Sequence, residues 1–357
     1  MGNPGPVGGR GAISGEGPVR GRAPGAFSEA LLAWYAHAHR DLPWRGTSDP
    51  YRIWVSEIML QQTRAQAAIP YYARFLERFP TVEALAAASE DDVLALWSGL
   101  GYYSRARNLR RAAQQVAAAG VFPRERDALR ALPGVGDYTA AAVASIAFEQ
   151  PVAVLDGNVS RVVARVLNDA SDIASPRTRE RFREAAQQWL DPRAPGLFNQ
   201  ARMELGATVC VPKKPLCQLC PLADLCRARR QGTAAQLPVK LRRTEPVRVA
   251  ATLLLIRKGR RILLRRREAG SRRMAGFWDL PAPEDLPAAR IGEHLGEFRH
   301  TITHHRYTLR VVAAGLRRLP RSGAQELAWF EPAQFARIPL STTARKAFRV
   351  AGLADDE

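Results

Sequence analysis

Long apolar runs are missing from this chain of 357 residues. No stretch reaches the roughly 18 apolar residues that a membrane-spanning helix needs, so no membrane partner is expected. The opening residues, MGNPGPVGGRGAISGEGPVRGRAPGA, lack the apolar core of a secretory leader. Residues 1–25 read as a Gly/Pro/Arg tail that buries too little surface to offset the entropy of ordering. Acids are scarce beside bases, 34 against 53, which leaves a net charge of +19. A surplus of that size points to a polyanionic partner, most simply nucleic acid, through counterion release from phosphates. Genomic bias would exchange lysine for arginine, but it would not create the excess over Asp and Glu.

Cysteine is rarer still. All four thiols, Cys210, Cys217, Cys220 and Cys226, sit in the window CVPKKPLCQLCPLADLC. A leaderless chain is expected in the cytosol, where structural disulfides are disfavoured. The spacing C-x6-C-x2-C-x5-C therefore reads as a metal-ligand set. Four thiolates suit either tetrahedral zinc or a cubane iron–sulfur cluster, and spacing alone leaves both open.

The chain from 27 to 227 has the 3.6-residue periodicity of short helices punctuated by Gly and Pro, with no strand–helix alternation. FSEALLAWYAHAH follows Ser28, a candidate N-cap. The segment LPGVGDYTA places Gly134 and Gly136 around one apolar residue between two helical stretches. Such glycines let backbone N–H groups approach a phosphate at a helix N-terminus. Together with the basic total, this is the pattern of a helix-hairpin-helix, a sequence-independent clamp on the DNA backbone. Two carboxylates stand out. Glu57 lies inside the apolar helical run VSEIMLQQTR, and Asp156 lies at the apolar-to-polar junction AVLDGNVSRV. Desolvation in either place would raise the pKa and suit proton donation. The structural alternatives are a surface-facing helix residue for Glu57 and a helix N-cap for Asp156.

Taken in order, LPWR, VSEIMLQQTR, GLGYYSRARNL, LPGVGDYTA, LDGNVSRV, NQARMELGA and the cysteine loop resemble the helix-hairpin-helix, Gly/Pro-rich-loop, catalytic-Asp DNA glycosylases. Within them the likeness is to the MutY adenine DNA glycosylases, over about residues 27–350. The resemblance implies a mainly α-helical core with a helix-hairpin-helix, a six-helix barrel and an iron–sulfur domain, followed by an α+β Nudix-like domain. The implied boundaries are core 26–227, linker 228–246, Nudix-like domain 247–350 and an acidic tail 351–357. It also implies a [4Fe–4S] cluster on the four cysteines and a bacterial, cytoplasmic, nucleoid-associated monomer. The partner it implies is duplex DNA carrying A:8-oxoguanine or A:G mispairs. By the same likeness, Glu57 protonates adenine, Asp156 stabilises the sugar cation, and Tyr138 and Asn158 orient the site. Gln62 and Tyr102 fill the gap left by the flipped base, and Glu204 is a weaker positioning candidate. Tyr103 reads as core packing.

Endonuclease III shares this pattern, but its nucleophilic lysine falls where this chain has Tyr138. A Schiff base needs an amine, so a base-removing enzyme that does not cut the backbone is implied. The competing readings are a pyrimidine-directed glycosylase/lyase and a non-catalytic iron–sulfur DNA-binding protein. After residue 247 the texture changes to β-runs, with GFWDLP in a Nudix-like position. No clustered acidic box for a divalent cation follows, so no nucleotide hydrolysis is expected. The resemblance places lesion reading at Ile302, Thr303 and His304. Ile302 stands where many relatives have an aromatic residue.

Overall fold

The computed structural model describes residues 24–241, 245–268, 275–302, 304–319 and 326–353. Helices come first: α1 (Pro24–Ala38), α2 (Pro50–Leu60), α3 (Ala65–Arg78), α4 (Val82–Ala87), α5 (Glu90–Trp97), α6 (Ser104–Ala119), α7 (Arg126–Arg130) and α8 (Asp137–Phe148). Then follow α9 (Gly157–Leu167), α10 (Pro176–Gln188), α11 (Pro195–Thr208) and the single turn α12 (Arg227–Arg230). Among the described residues, two of the apolar clusters organise most of them. Trp54, Phe75, Trp97 and Leu109 belong to the core shared by α2 to α8. Phe27, Leu31, Val162, Phe198 and Leu205 join α1 to α9 and α11 in the second. The chain's first helix thus returns to pack beside α11, and the two lobes meet along α2, α8, α9 and α11.

Local signals explain the ends that matter. Asp49 caps α2 by accepting from the N–H groups of Tyr51 and Arg52 at 2.9 and 3.3 Å, and Pro50 fits the first turn. Ser28 is not a cap: it lies inside α1 and returns its hydroxyl to the Gly25 carbonyl at 3.0 Å. Between α7 and α8, Gly134 has φ +77°, and a Cβ there would stand 2.6 Å from the Asn108 Cβ. Both backbone conformation and space therefore demand glycine at the hairpin.

The β-runs form one sheet of β1 (Val247–Lys258), β2 (Arg261–Arg266), β3 (Trp278–Asp279), β4 (Arg290–Ile302), β5 (His305–Gly315) and β6 (Glu326–Phe330). The order is β3-β2-β1-β5-β4, with β6 also paired to β2. β1 runs parallel to β5 and antiparallel to β2 across a turn at Gly259, φ +61°. Alternation in β1 serves two faces. Leu253 and Leu255 pack with Phe335 and Phe348, the latter on α13 (Thr342–Val350). Leu254 and Ile256 pack with Leu286 on the other face.

This second unit docks on the helical one. Phe277 is buried in the core of α2 to α8, its ring centroid 3.9 Å from that of Tyr103, which is itself 6 % exposed. Tyr103 Oη lies 3.2 Å from Thr342 Oγ1, Ser98 donates to the Leu340 carbonyl at 2.7 Å, and Arg266 pairs with Asp91 at 2.6 Å. The segment read as a connector from 228 begins packed against the helices. Ala228, Ala234 and Leu237 are buried beside Cys226, and Ile173 N–H donates to the Val239 carbonyl at 2.9 Å. Its polar, basic composition hid three small or apolar side chains that face inward.

Candidate active site and iron–sulfur centre

One pocket gathers Glu57, Tyr138, Asp156, Asn158, Met203 and Glu204 from α2, α8, α9 and α11. Eight of the eleven residues of α2 are buried, so the Glu57 carboxyl, 5 % exposed, reaches outward only through this pocket. The surface-facing alternative for Glu57 is thereby excluded. Burial pushes its pKa up to about 7; a hydrogen bond from Tyr138 opposes the rise and the nearby Asp156 charge adds to it. Tyr138 Oη lies 2.7 Å from Glu57 Oε2 and 3.0 Å from Met203 Sδ. A hydroxyl carries one proton, so it donates to one of them at a time.

Asp156 has different surroundings. It is the N-cap of α9, accepting from Val159 N–H at 2.6 Å and from Asn158 Nδ2 at 3.0 Å. The capping role foreseen as an alternative is real, and it coexists with a place in the pocket. Burial raises the Asp156 pKa, while the Val159 and Asn158 donors and the charge of Arg161 pull toward the anion. Two acids in one cavity thus have unequal support. Among the described residues Glu57 takes one hydrogen bond, from Tyr138, whereas Asp156 sits on a helix N-terminus and accepts from both Val159 and Asn158.

Arg161 extends the arrangement. Its guanidinium donates to Asn158 Oδ1 at 2.8 Å and to the carbonyls of Gly206 and Cys210 at 2.7 and 2.8 Å. Glu204 is an anion of another kind, clasped by Arg40 at 2.7 and 2.8 Å and by Arg45 at 2.5 Å. Burial alone would raise its pKa; the two arginines overcome that and draw it down to about 2. Arg40 and Arg45 were not singled out in the sequence, although Arg45 ends the quoted LPWR. Nothing in their spacing revealed a carboxylate partner some 160 residues away, at Glu204.

The other candidates lie outside this pocket. Gln62 and Tyr102 are exposed on loops after α2 and before α6, both with left-handed backbone, φ +57° and +49°. Gly134 and Gly136 form the exposed turn into α8. His304 lies at the tip between β4 and β5, its ring 4.2 Å from that of His305, and Ile302 ends β4. Thr303 lies outside the described residues.

Cys210, Cys217, Cys220 and Cys226 line a second pocket. Among the described residues, no three His, Cys, Asp or Glu side chains converge as ligands of one ion. Four thiols around a shared space fit a cluster with one thiolate per iron better than a single tetrahedral ion. Burial pushes the Cys220 thiol up to about 12 and raises Cys226, and the neighbouring thiols add to both. Four thiolates here need the charge of iron to form. Arg165 donates to Cys210 Sγ at 3.2 Å. Cys220→Ser is expected to lose the brown visible absorbance and to lower the thermal midpoint by roughly 5–10 °C, because metal binding contributes folding energy. Scanning the purified protein by absorbance and calorimetry checks this.

Residues 55–191 match the HhH-GPD superfamily of base excision DNA repair proteins. Residues 210–226 match the iron–sulfur binding domain of endonuclease III, and residues 251–350 the NUDIX domain. A thermostable thymine-DNA glycosylase of known structure superposes with TM-score 0.53 at 29 % identity, covering 58 % of this chain and 97 % of that one. Fold and site therefore define a base excision repair DNA glycosylase with a [4Fe–4S] centre and an appended Nudix domain. Adenine DNA glycosylases from Mus musculus and Homo sapiens are each 36 % identical, over 91 % of this chain and 78 % and 74 % of theirs. That of Mycolicibacterium smegmatis is 47 % identical over 57 % of this chain and 70 % of its own. The chain belongs to the adenine DNA glycosylase family, hydrolytic DNA N-glycosylases.

Proposed function

We propose that the protein removes adenine paired with 8-oxoguanine or guanine, as a monomer, and leaves the DNA backbone uncut. The observation that carries this is the unequal pair Glu57 and Asp156 in one pocket. Adenine leaves deoxyribose poorly as an anion, so it must be protonated as it departs. Glu57, which holds its proton to about pH 7, gives that proton to adenine N7. The C1′–N9 bond then breaks with its electron pair going to the base. The carboxylate of Asp156 stabilises the positive charge developing at C1′, and water adds there, returning a proton to Glu57. Asn158 holds Asp156, and Tyr138 holds Glu57. No lysine lines the pocket among the described residues, which supports hydrolysis without Schiff-base chemistry.

The target adenine must leave the stack to reach this pocket. Gln62 and Tyr102, exposed and held in left-handed conformations, are proposed to fill the space it vacates. The turn at Gly134 and Gly136 is proposed to hold the phosphate backbone. Ile302, Thr303 and His304 are proposed to read 8-oxoguanine, and the four cysteines to hold the cluster that pins their loop.

A single assay tests the whole reading. Duplexes with A:8-oxoguanine, with oxidised thymine and without damage are incubated with excess protein, then analysed with and without hot alkali. Strand breaks are expected only in the first duplex and only after alkali, with no borohydride-trapped adduct. Breakage of the oxidised-thymine duplex without alkali would replace this proposal with a glycosylase/lyase. With an A:G duplex added to the same assay, His304→Ala should narrow the preference for 8-oxoguanine over guanine.

A further inference from the structure

Arg105 is a buried cation whose contacts are almost wholly backbone. Its side chain sits at the start of α6, and the residue is 8 % exposed. Nη1 lies 2.9 Å from the carbonyls of Ile58 and Met59 and 2.6 Å from that of Gln61. Nη2 lies 3.2 Å from the Leu100 carbonyl and 2.9 Å from that of Gly101, and Nε lies 3.4 Å from the carbonyl of Tyr102. Thr63 Oγ1 stands 3.3 and 3.4 Å from the two terminal nitrogens. No carboxylate is among these partners. Burial lowers the guanidinium pKa to about 10, so it stays charged at neutral pH.

Those carbonyls come from two separate segments, the last turn of α2 with the loop after it and the loop before α6. One ends α2 and carries Gln62, φ +57°; the other precedes α6 and carries Tyr102, φ +49°. Non-glycine residues rarely hold such backbone unless the surroundings over-determine it. Here one guanidinium ties both loops from beneath. Its Cζ is also 5.5 Å from the centroids of the Tyr102 and Trp97 rings. The planar fork suits this task, because its donors point in two directions at once; an ammonium is a point charge and cannot span both loops.

We propose that Arg105 is a positioning residue for base extrusion: it locks the Gln62 and Tyr102 loops into one preformed wedge, so that both side chains enter the duplex together. The proposal rests on the wedge assignment made above. Preformed geometry matters because the loops would otherwise have to order themselves while the base is being unstacked.

Arg105→Lys tests it in the full-length, iron-loaded protein. Single-turnover adenine release from a fully paired A:8-oxoguanine duplex is expected to fall about 10- to 100-fold, with binding changed only a few-fold. When 2-aminopurine replaces the target adenine, the fluorescence rise on unstacking should shrink equally. On a duplex with mismatches flanking the target, where unstacking is already paid, most of the loss should vanish. On a Tyr102→Ala background the same substitution should add little. A damaged fold would instead slow release from every duplex, and equal loss on paired and flanking-mismatch duplexes overturns the proposal. So does unchanged release from the paired duplex, provided wild type releases adenine there; if wild type does not, the functional reading itself has failed. Cluster absorbance and the thermal midpoint report whether the lysine variant folds. If it does not, Thr63→Val, which removes only the hydroxyl shared by both nitrogens, should show the same substrate dependence at smaller amplitude, and its absence overturns the proposal.

Discussion

Asp156→Asn is expected to abolish adenine release while leaving the fold intact. Asparagine is as good a helix N-cap as aspartate, so α9 keeps its bond to the Val159 N–H and the thermal midpoint should hardly move. What disappears is the negative charge proposed to face C1′. Loss of a preorganised group that stabilises transition-state charge costs about 10²- to 10³-fold or more, and here the group opposes a full developing cation. Single-turnover release beside duplex binding separates the two roles of this residue. Retained release would remove Asp156 from the chemistry and leave only its cap. Loss of both binding and melting temperature would show that the cap dominates.

Glu57→Gln should produce an equally large kinetic effect, but unlike Asp156→Asn it should raise stability at neutral and alkaline pH. Removing a general acid costs about 10²- to 10⁴-fold. In the wild type, release should decline about tenfold per pH unit above pH 7, as Glu57 loses its proton; the residual rate of the glutamine variant should lack that limb. The stability sign follows from the direction of the shift. An unfolded glutamate ionises near its ordinary 4.5, whereas the folded one keeps its proton to about 7. Between those values the unfolded state binds fewer protons, so wild-type stability falls as pH rises through 4.5 to 7. The accumulated cost is about 3 kcal/mol above pH 7, and glutamine escapes it. The variant should therefore melt higher than wild type at pH 8 and lose that advantage near pH 4.5. Calorimetry across that range checks the sign. A wild-type midpoint independent of pH, relative to the variant, would mean that Glu57 is ionised in the fold at neutral pH.

The Glu57 prediction depends on neighbours that its motif does not contain. In VSEIMLQQTR the apolar flanks of Glu57 are visible, but a helix buried on one side has the same flanks. The packing of α8 against α2 covers the other side and brings Tyr138, from a motif some 80 residues on, to 2.7 Å. Asp156 was legible as a cap because capping is local, between residues three apart. Its companionship with Glu57 came only from the family likeness, because it depends on two lobes meeting. The Glu204 clasp by Arg40 and Arg45 and the Arg105 span of two loops are invisible for the same reason. An arginine in a basic chain gives no sign of which acid or carbonyl it will face.

Residue order alone determined the local matters: the helical and strand texture and the change near residue 247. It also located the cysteine window, the glycines of the hairpin turn and the family likeness. These follow from periodicity, backbone conformation and the spacing of ligands along one short loop. Tertiary structure decided which side chains lose water and which acquire partners. It thereby divided the carboxyls into a held proton, a capping carboxyl on a helix end and a clasped ion pair. Proton affinity depends on the dielectric and the donors within a few ångströms, and those are supplied by residues that are distant in the chain.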